Sequence, residues 1–379
     1  MLQSLLGIRL VLKMGKGRNP KPVPYDVIMA LTNIGVTDNA VERDTFQMTF
    51  TAGKSQAKEY GLLRTGLFEP GTRVAIALQI GAKVEPLISG VVRHFQLNPS
   101  NDIGMTSFTV TGDGIDVMLD LKEKNVPYSQ QSDTTSLQTI IKDYANYGLV
   151  LDISDEAKKL EQPSDNELIP RQYSTDLQYI QQMAKRNGFV FYSDPLPNGD
   201  VRVYWGPEVR SGPRQPPLSM NMGSLTNVTN LNFTQDTRTP FTTSGSRLQV
   251  DGKQESDEDI SPPTQFDVSD LAASETPSAD QIVLMREIAK YTTSRANTRA
   301  NELMKAKFNA VTATGEVDTV RYGGIMRAGG VIGVRGAGAL YNGDYYVTEV
   351  THSIERGKYT QSFTLHREGL GATSDRLRT

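Results

Sequence analysis

The sequence predicts an α+β protein that is mainly β, with two related β-barrel domains flanking a small α+β segment. Three observations predict this. The stretch MTSFTVTGDG (Met105 to Gly114) returns roughly 255 residues later as YTQSFTLHREG (Tyr359 to Gly369). Upstream of each copy lie a Val-x-His run (Val92-Arg93-His94 and Val350-Thr351-His352) and a Gly-bounded alternating run (Gly71 to Gly81 and Gly329 to Gly343). Between the two copies the apolar period changes from two to about 3.6, the spacing of a helix. Order and approximate spacing recur together, so the echo reads as one strand–turn–strand unit used twice, with the histidines at equivalent positions.

The first region, 1–119, is divided by Gly, Pro and Asn clusters into strands at Gly7 to Met14, Tyr25 to Leu31, Thr45 to Ala52, Arg73 to Ile80, Leu87 to Phe95 and Met105 to Gly112. Phe46, Met48 and Phe50 alternate with Thr45, Gln47 and Thr49, which gives a strand one apolar and one wet face. In the region 120–215, Leu137, Ile140, Ile141 and Tyr144 fall at helical spacing, with Gly148 placed to end the run. A second helix opens at Thr175 with Gln178 and closes with Lys185 and Arg186 before Gly188. Next, FVFYSDPLPNGDVRVYW reads as two strands joined through Asn198-Gly199. The last region, 216–379, begins with the strand NVTNLNF at Asn227 and carries a polar loop at about 245–278 and a helix at about 279–307. From Val311 it returns to strands.

The 379 residues carry a net charge of −3, a single Trp and no Cys. No Lys/Arg run forms an electrostatic footprint, so specific nucleic-acid binding is not expected. The absence of Cys excludes disulfides, thiolate metal sites and thiol nucleophiles. LQSLLGIRLVL lacks a preceding positive charge and is interrupted by Arg9, so it reads as a strand rather than a signal segment. No apolar run is long enough to span a membrane.

Candidates for chemistry are weak. Gly53-Lys54-Ser55 resembles the end of a phosphate loop, but Met48 occupies the place of the first glycine, inside a strand. Gly336 and Gly338 supply two positions of a dinucleotide loop and Tyr341 fails the third, so turn glycines and a tight hairpin at Asn342-Gly343 are expected. His94, His352 and His366 show no ligand spacing. Asp257-Glu258-Asp259 reads as solvated charge, Asp113 and Glu368 as turn residues, and Trp205 as part of a hairpin rather than a glycan platform. The expectation is a non-enzymatic protein with no catalytic, cofactor or metal residues. The alternatives are a particle-borne cell-wall or polysaccharide hydrolase, which should show a paired-carboxylate cleft, and a glycan-binding β protein.

PRQYSTDLQYIQQMAKRNGFVFY (Pro170 to Tyr192), GDGIDVMLDLKEK after the first barrel, and the long stretch from Ala313 to Gly371 together resemble the late control protein D family of contractile phages. The same pattern is similar to baseplate hubs of contractile injection systems and to the N-terminal part of VgrG spike proteins. The resemblance implies a homotrimeric hub of two tube-type barrels, with a separate spike protein, inner tube proteins and other baseplate subunits as partners. It also implies synthesis in a bacterial cytoplasm and incorporation into a tail or injection particle. Arg367-Glu368 and the Gly333 to Gly343 hairpin read either as protomer contacts or as ordinary hairpin and surface residues.

Overall fold

In the computed structural model the described residues are 8–53, 61–101, 105–160, 169–235, 309 and 311–370, with the backbone of five short strands between 242 and 284. The dominant feature is a 13-stranded sheet. Its first set of strands is β1 (Ile8–Gly15), β2 (Lys21–Pro22), β3 (Leu31–Asn39), β4 (Thr45–Thr51), β5 (Arg73–Ile80), β6 (Lys83–Asn98) and β7 (Ser107–Gly114). A second region holds the short strands β8 (Val126–Pro127) and β10 (Arg171–Gln172), together with β9 (Leu149–Ile153), β11 (Val190–Pro195) and β12 (Val201–Gly206). The sheet resumes with β13 (Arg214–Ser219) and β14 (Val228–Gln235). The short strands Thr242–Ser244, Arg247–Leu248, Gln254–Glu255, Leu271–Ala272 and Ile282–Leu284 are β15 to β19. The last strands among the described residues are β20 (Val311–Asp318), β21 (Val331–Arg335), β22 (Gly343–Glu355), β23 (Lys358–Arg367) and β24 (Gly369–Leu370).

One strand order occurs twice. The first set runs β3-β4-β7-β6-β5-β1 across the sheet, and the second runs β14-β20-β23-β22-β21-β13. Each strand therefore has a counterpart at the same rank in the chain and the same place in the sheet. The outermost pair differs in direction, antiparallel for β1 on β5 and parallel for β13 on β21. Phe108 in β7 and Phe363 in β23 are counterparts, each followed two residues later by another buried apolar residue, Val110 or Leu365.

Each unit also seats a phenyl ring over a directly opposed glycine, Phe46 on Gly112 and Phe363 on Gly315. A Cβ on Gly112 would stand 2.2 Å from the Val91 carbonyl oxygen, and one on Gly315 would stand 2.4 Å from that of Asn230. Only glycine lets ring and neighbouring strand close over these points.

The histidine half of the echo is a coincidence of composition. His94 pairs with Thr111, three residues after Phe108, whereas His352 pairs with Gln361, two residues before Phe363. His94 is exposed and His352 fully buried. Bulges at different places, between Val92 and His94 in β6 and between Val347 and Glu349 in β22, add to the mismatch.

Three large hydrophobic cores lie along the described residues, and a smaller cluster of Ala40, Val190, Tyr192, Tyr204, Ala328 and Tyr346 draws on both units and the segment between them. One sits under β1 and β3 to β7 and another under β13, β14 and β20 to β23. The third fills the segment between them. There, α2 (Asp133–Lys142), α3 (Asp155–Lys158) and α4 (Asp176–Asn187) pack against the sheet β11-β12-β9, and Phe189 meets the fully buried Trp205 edge to face at 5.1 Å. The Thr175 hydroxyl accepts from the Gln178 backbone N–H, and Gly188 takes the left-handed conformation that stops α4. Gly199 at φ 90° turns β11 into β12.

Three further expectations are corrected. Tyr25–Ala30 is a one-turn helix, α1, rather than a strand: Pro24 precedes it with no N–H to lose, and Val27 drops into the first core. Six residues are too few for their spacing to separate helix from strand. Asn342-Gly343 is not a tight hairpin, because β21 and β22 are joined by Gly336 to Asn342, with Gly336 and Gly338 at positive φ. Ile282–Leu284, inside the expected helix at about 279–307, is a strand parallel to Thr242–Ser244, and the remainder of that helix and Asp257-Glu258-Asp259 lie outside the described residues.

Candidate assembly surface and the junction beneath it

Strand alternation sends the apolar residues of both units into their cores and leaves a polar face on the other side. The register lines that face up in rows across both units. One row reads Glu316, Ser362, Thr351, Thr37, Thr45, Asp113. The next reads Asp318, Thr360, Ser353, Gly35, Gln47, Thr111, His94. Hydroxyl and amide groups dominate, and no large apolar residue interrupts them. Over Gly35, Thr37, Gln47 and Thr111 the face dips into a groove of about 410 Å³ with Arg93 and Asp113 at its rim. Such a surface offers hydrogen bonds everywhere but no convergent acid, base and nucleophile.

The seam of this face is β3 on β22, antiparallel from Asn33 opposite Glu355 to Asn39 opposite Glu349. Side chains bridge it: Asn39 donates to Glu349 Oε2 at 2.9 Å, Asn33 donates to Glu355 Oε1 at 3.2 Å, and the Thr37 and Thr351 hydroxyls meet at 3.3 Å. The two units are thus one continuous sheet rather than separate bodies on a linker.

Behind the seam lies a buried charged junction. Arg327, from the second unit, donates to the Leu87 carbonyl of the first and stands 3.5 Å from Asp38. Asp38 also accepts from the Ala328 N–H. Burial pushes the Asp38 carboxyl up to about 6, against the pull of Arg327. Asp44, which accepts from the Asn39 N–H, is raised by burial and by the charge of Asp38. Asp116 is likewise held up at about 6, burial outweighing Arg43.

A second charged cluster sits beside β23. Arg210 is shared between Glu208 and Glu368 and also donates to Asn309. The Arg367 guanidinium is fully buried, donating to the carbonyls of Leu340, Asn342 and Gly369 and lying 4.8 Å from the Tyr345 ring centre. Arg367 therefore holds the chain's own Gly336–Asn342 loop and β24, while Glu368 is buried against Arg210, so neither is free for protomer contacts.

The remaining sequence candidates are dispersed. His94 is on the polar face, while His366 bonds the Thr312 hydroxyl at 3.0 Å and is lowered to about 4 by burial and the charge of Arg210. His352 is in the core, with its Nδ1 2.8 Å from the Tyr359 hydroxyl and 3.1 Å from Gln361 Nε2. Gly53 is described, but Lys54 and Ser55 lie outside the described residues. Asp113 faces Arg43 and Arg93 on the rim, and Trp205 is core. Among the described residues no group of His, Asp and Glu is arranged to hold a metal ion, and no helix is long and apolar enough to cross a membrane. The junction carboxylates Asp38, Asp44 and Asp116 were not legible in the sequence, because each looks like an ordinary turn or strand-end residue until the core closes over it.

Compared with solved structures, the chain has the fold of phage and phage-related tail proteins. The prophage MuSo2 43 kDa tail protein from Shewanella oneidensis superposes with a TM-score of 0.63 at 15% identity, covering 95% of this chain and 98% of that one. A tail protein from Neisseria meningitidis MC58 gives 0.60 at 13% identity, with 96% and 98% covered. An E. coli component of the type VI secretion system, described as structurally similar to T4 bacteriophage tail proteins gp27 and gp5, gives 0.55 at 14% identity, with 91% and 74% covered. No curated protein matches the sequence. A family model described as the Alg8 N-terminal domain matches residues 25–356, and the chain belongs to that family.

Proposed function

We propose that the chain is a structural, non-enzymatic baseplate hub of a contractile tail or injection particle, joining a six-fold inner tube to a three-fold spike. The observation that carries the reading is the strand order repeated twice in one continuous sheet. Three copies of a two-unit chain present six nearly equivalent units around an axis, so a single ring meets both symmetries. The units are barrel domains at 1–119 and 216–379, with the α+β segment 120–215 outside the ring. The hydroxyl-rich face lines the central channel. A homotrimer, a separate spike protein, inner tube proteins and other baseplate subunits are the partners, and the tail-protein fold of the relatives supports that setting. Deleting the gene and imaging the particles by electron microscopy tests the reading. Tube and sheath should fail to initiate on a baseplate, and normal particles without this chain would end the proposal. Purified chain that releases soluble fragments from peptidoglycan would overturn its non-enzymatic part.

A further inference from the structure

On the outer face of the first unit a buried cation borders a cavity. Strand alternation turns Arg73, Ala75 and Ala77 of β5 away from the core that takes Val74, Ile76 and Leu78. On β1, Val11 lies opposite Ala77 and Lys13 opposite Ala75. The β11–β12 hairpin, stiffened by Pro195 and Pro197, closes over this face from the segment between the units. The two small alanine side chains leave a cavity of about 170 Å³ between sheet and hairpin.

Arg73 is 4% exposed. Its Nε and one Nη donate to the Ser89 hydroxyl at 3.3 and 2.9 Å, and the other Nη donates to the Tyr147 carbonyl at 2.7 Å. Both acceptors are neutral, and these bonds use three of the five guanidinium N–H groups. Among the described residues lining the cavity, Lys13, Arg18 and Arg73 are cationic, and the one carboxylate, Asp200, is held by Arg18. Burial lowers Arg73 and the charge of Arg18 lowers it further, against the pull of Asp200, yet an arginine stays protonated. A buried charge is ordinarily matched by a counter-charge. Arg210 is matched by Glu208 and Glu368, and Arg367 spreads its charge over three carbonyls and the Tyr345 ring. Arg73 has one carbonyl and one hydroxyl, and faces the cavity.

We propose that this cavity is a binding site for a small oxyanion of the phosphate class, held by the Arg73 guanidinium with the exposed Arg18 and Lys13 beside it. The planar guanidinium fork matches two oxygens of such an anion side by side. At about 170 Å³ the cavity is smaller than the roughly 300 Å³ and upward of drug-sized ligand sites, so the anion is a free one rather than a group carried on a nucleotide. Bound there, it contacts the sheet of the first unit and the β11–β12 hairpin together, fastening the intervening segment to the first unit.

Isothermal titration calorimetry of the purified full chain with sodium phosphate, at an ionic strength fixed with sodium chloride, tests the site. Wild type should show saturable one-to-one binding. Asp200→Asn removes the opposing carboxylate and should tighten binding roughly three- to ten-fold. Arg18→Gln removes a cation and frees Asp200 to face Arg73, so it should weaken binding about ten-fold or more. Arg73→Gln should abolish binding, and if that variant does not fold, the Arg18 and Asp200 variants decide the matter. No saturable heat in wild type overturns the proposal. So does a folded Arg73→Gln that binds as wild type does, an Asp200→Asn no tighter than wild type, or an Arg18→Gln no weaker. Each of these results leaves the hub reading standing.

Discussion

The His352 imidazole provides a quantitative probe of how the second unit is packed. It is fully buried, and burial, reinforced by the charge of Arg327, lowers it from 6.5 to about 3. The Gln361 amide nitrogen can only donate, so Nδ1 accepts and the neutral ring carries its proton on Nε2, which has no partner. A group with a depressed folded pKa loses stability as pH falls: below 6.5 the unfolded chain takes up a proton that the folded chain refuses until about pH 3. Between pH 7.5 and pH 5 this coupling costs roughly 2 kcal/mol. Asp38 and Asp116 act with the opposite sign, since their raised values make the folded chain bind protons first and gain stability as pH falls from about 6 toward 4. His366, lowered to about 4, adds to the loss. Total stability therefore mixes signs, and the informative quantity is the difference between wild type and His352→Gln. Urea denaturation at pH 7.5, 6 and 5 should show that the gap between the two proteins shifts by roughly 2 kcal/mol in favour of the variant at acid pH. A gap constant with pH, or an imidazole titrating near 6.5 by NMR in the folded wild type, would refute the reasoning.

Two further outcomes follow from close contacts. Gly112→Ala should destabilise by roughly 1–3 kcal/mol and Gly315→Ala comparably, because both Cβ atoms collide with a carbonyl oxygen and a phenyl ring. Gly35→Ala, on the same sheet with open space at the Cβ, should be neutral or stabilising by about half a kcal/mol, and thermal melts of the three variants check the contrast. Arg210→Ala should cost roughly 3–5 kcal/mol, since it strands the buried Glu368 carboxylate and removes the partner of the half-buried Glu208. Urea denaturation of Arg210→Ala beside wild type checks the loss.

Much of this architecture was legible along the chain. Period-two alternation marks β4 and β7 because a half-buried strand must alternate, and the capping residues of α4 act within a single turn. The Ser-Phe-Thr echo marked equivalent strands because Phe108 and Phe363 fill the same core position of each unit. Those are local or periodic signals, and residue order alone carries them.

Tertiary structure decided the rest. The seam of β3 on β22 joins residues 310 and more positions apart, such as Asn39 with Glu349 and Thr37 with Thr351. Edge pairing is made by backbone groups that every residue has, so the sequence between them does not announce it. Burial was equally hidden: Arg367 and Asp38 read as surface charges until loops and the second unit fold over them, and the Val-x-His runs look alike until bulges set them in different registers. The sequence determined which residues form strands and which face of each is apolar, because both follow from side-chain chemistry at short range. Only the assembled sheet determined which strands are neighbours and which charges are buried, because those depend on contacts between distant parts of the chain.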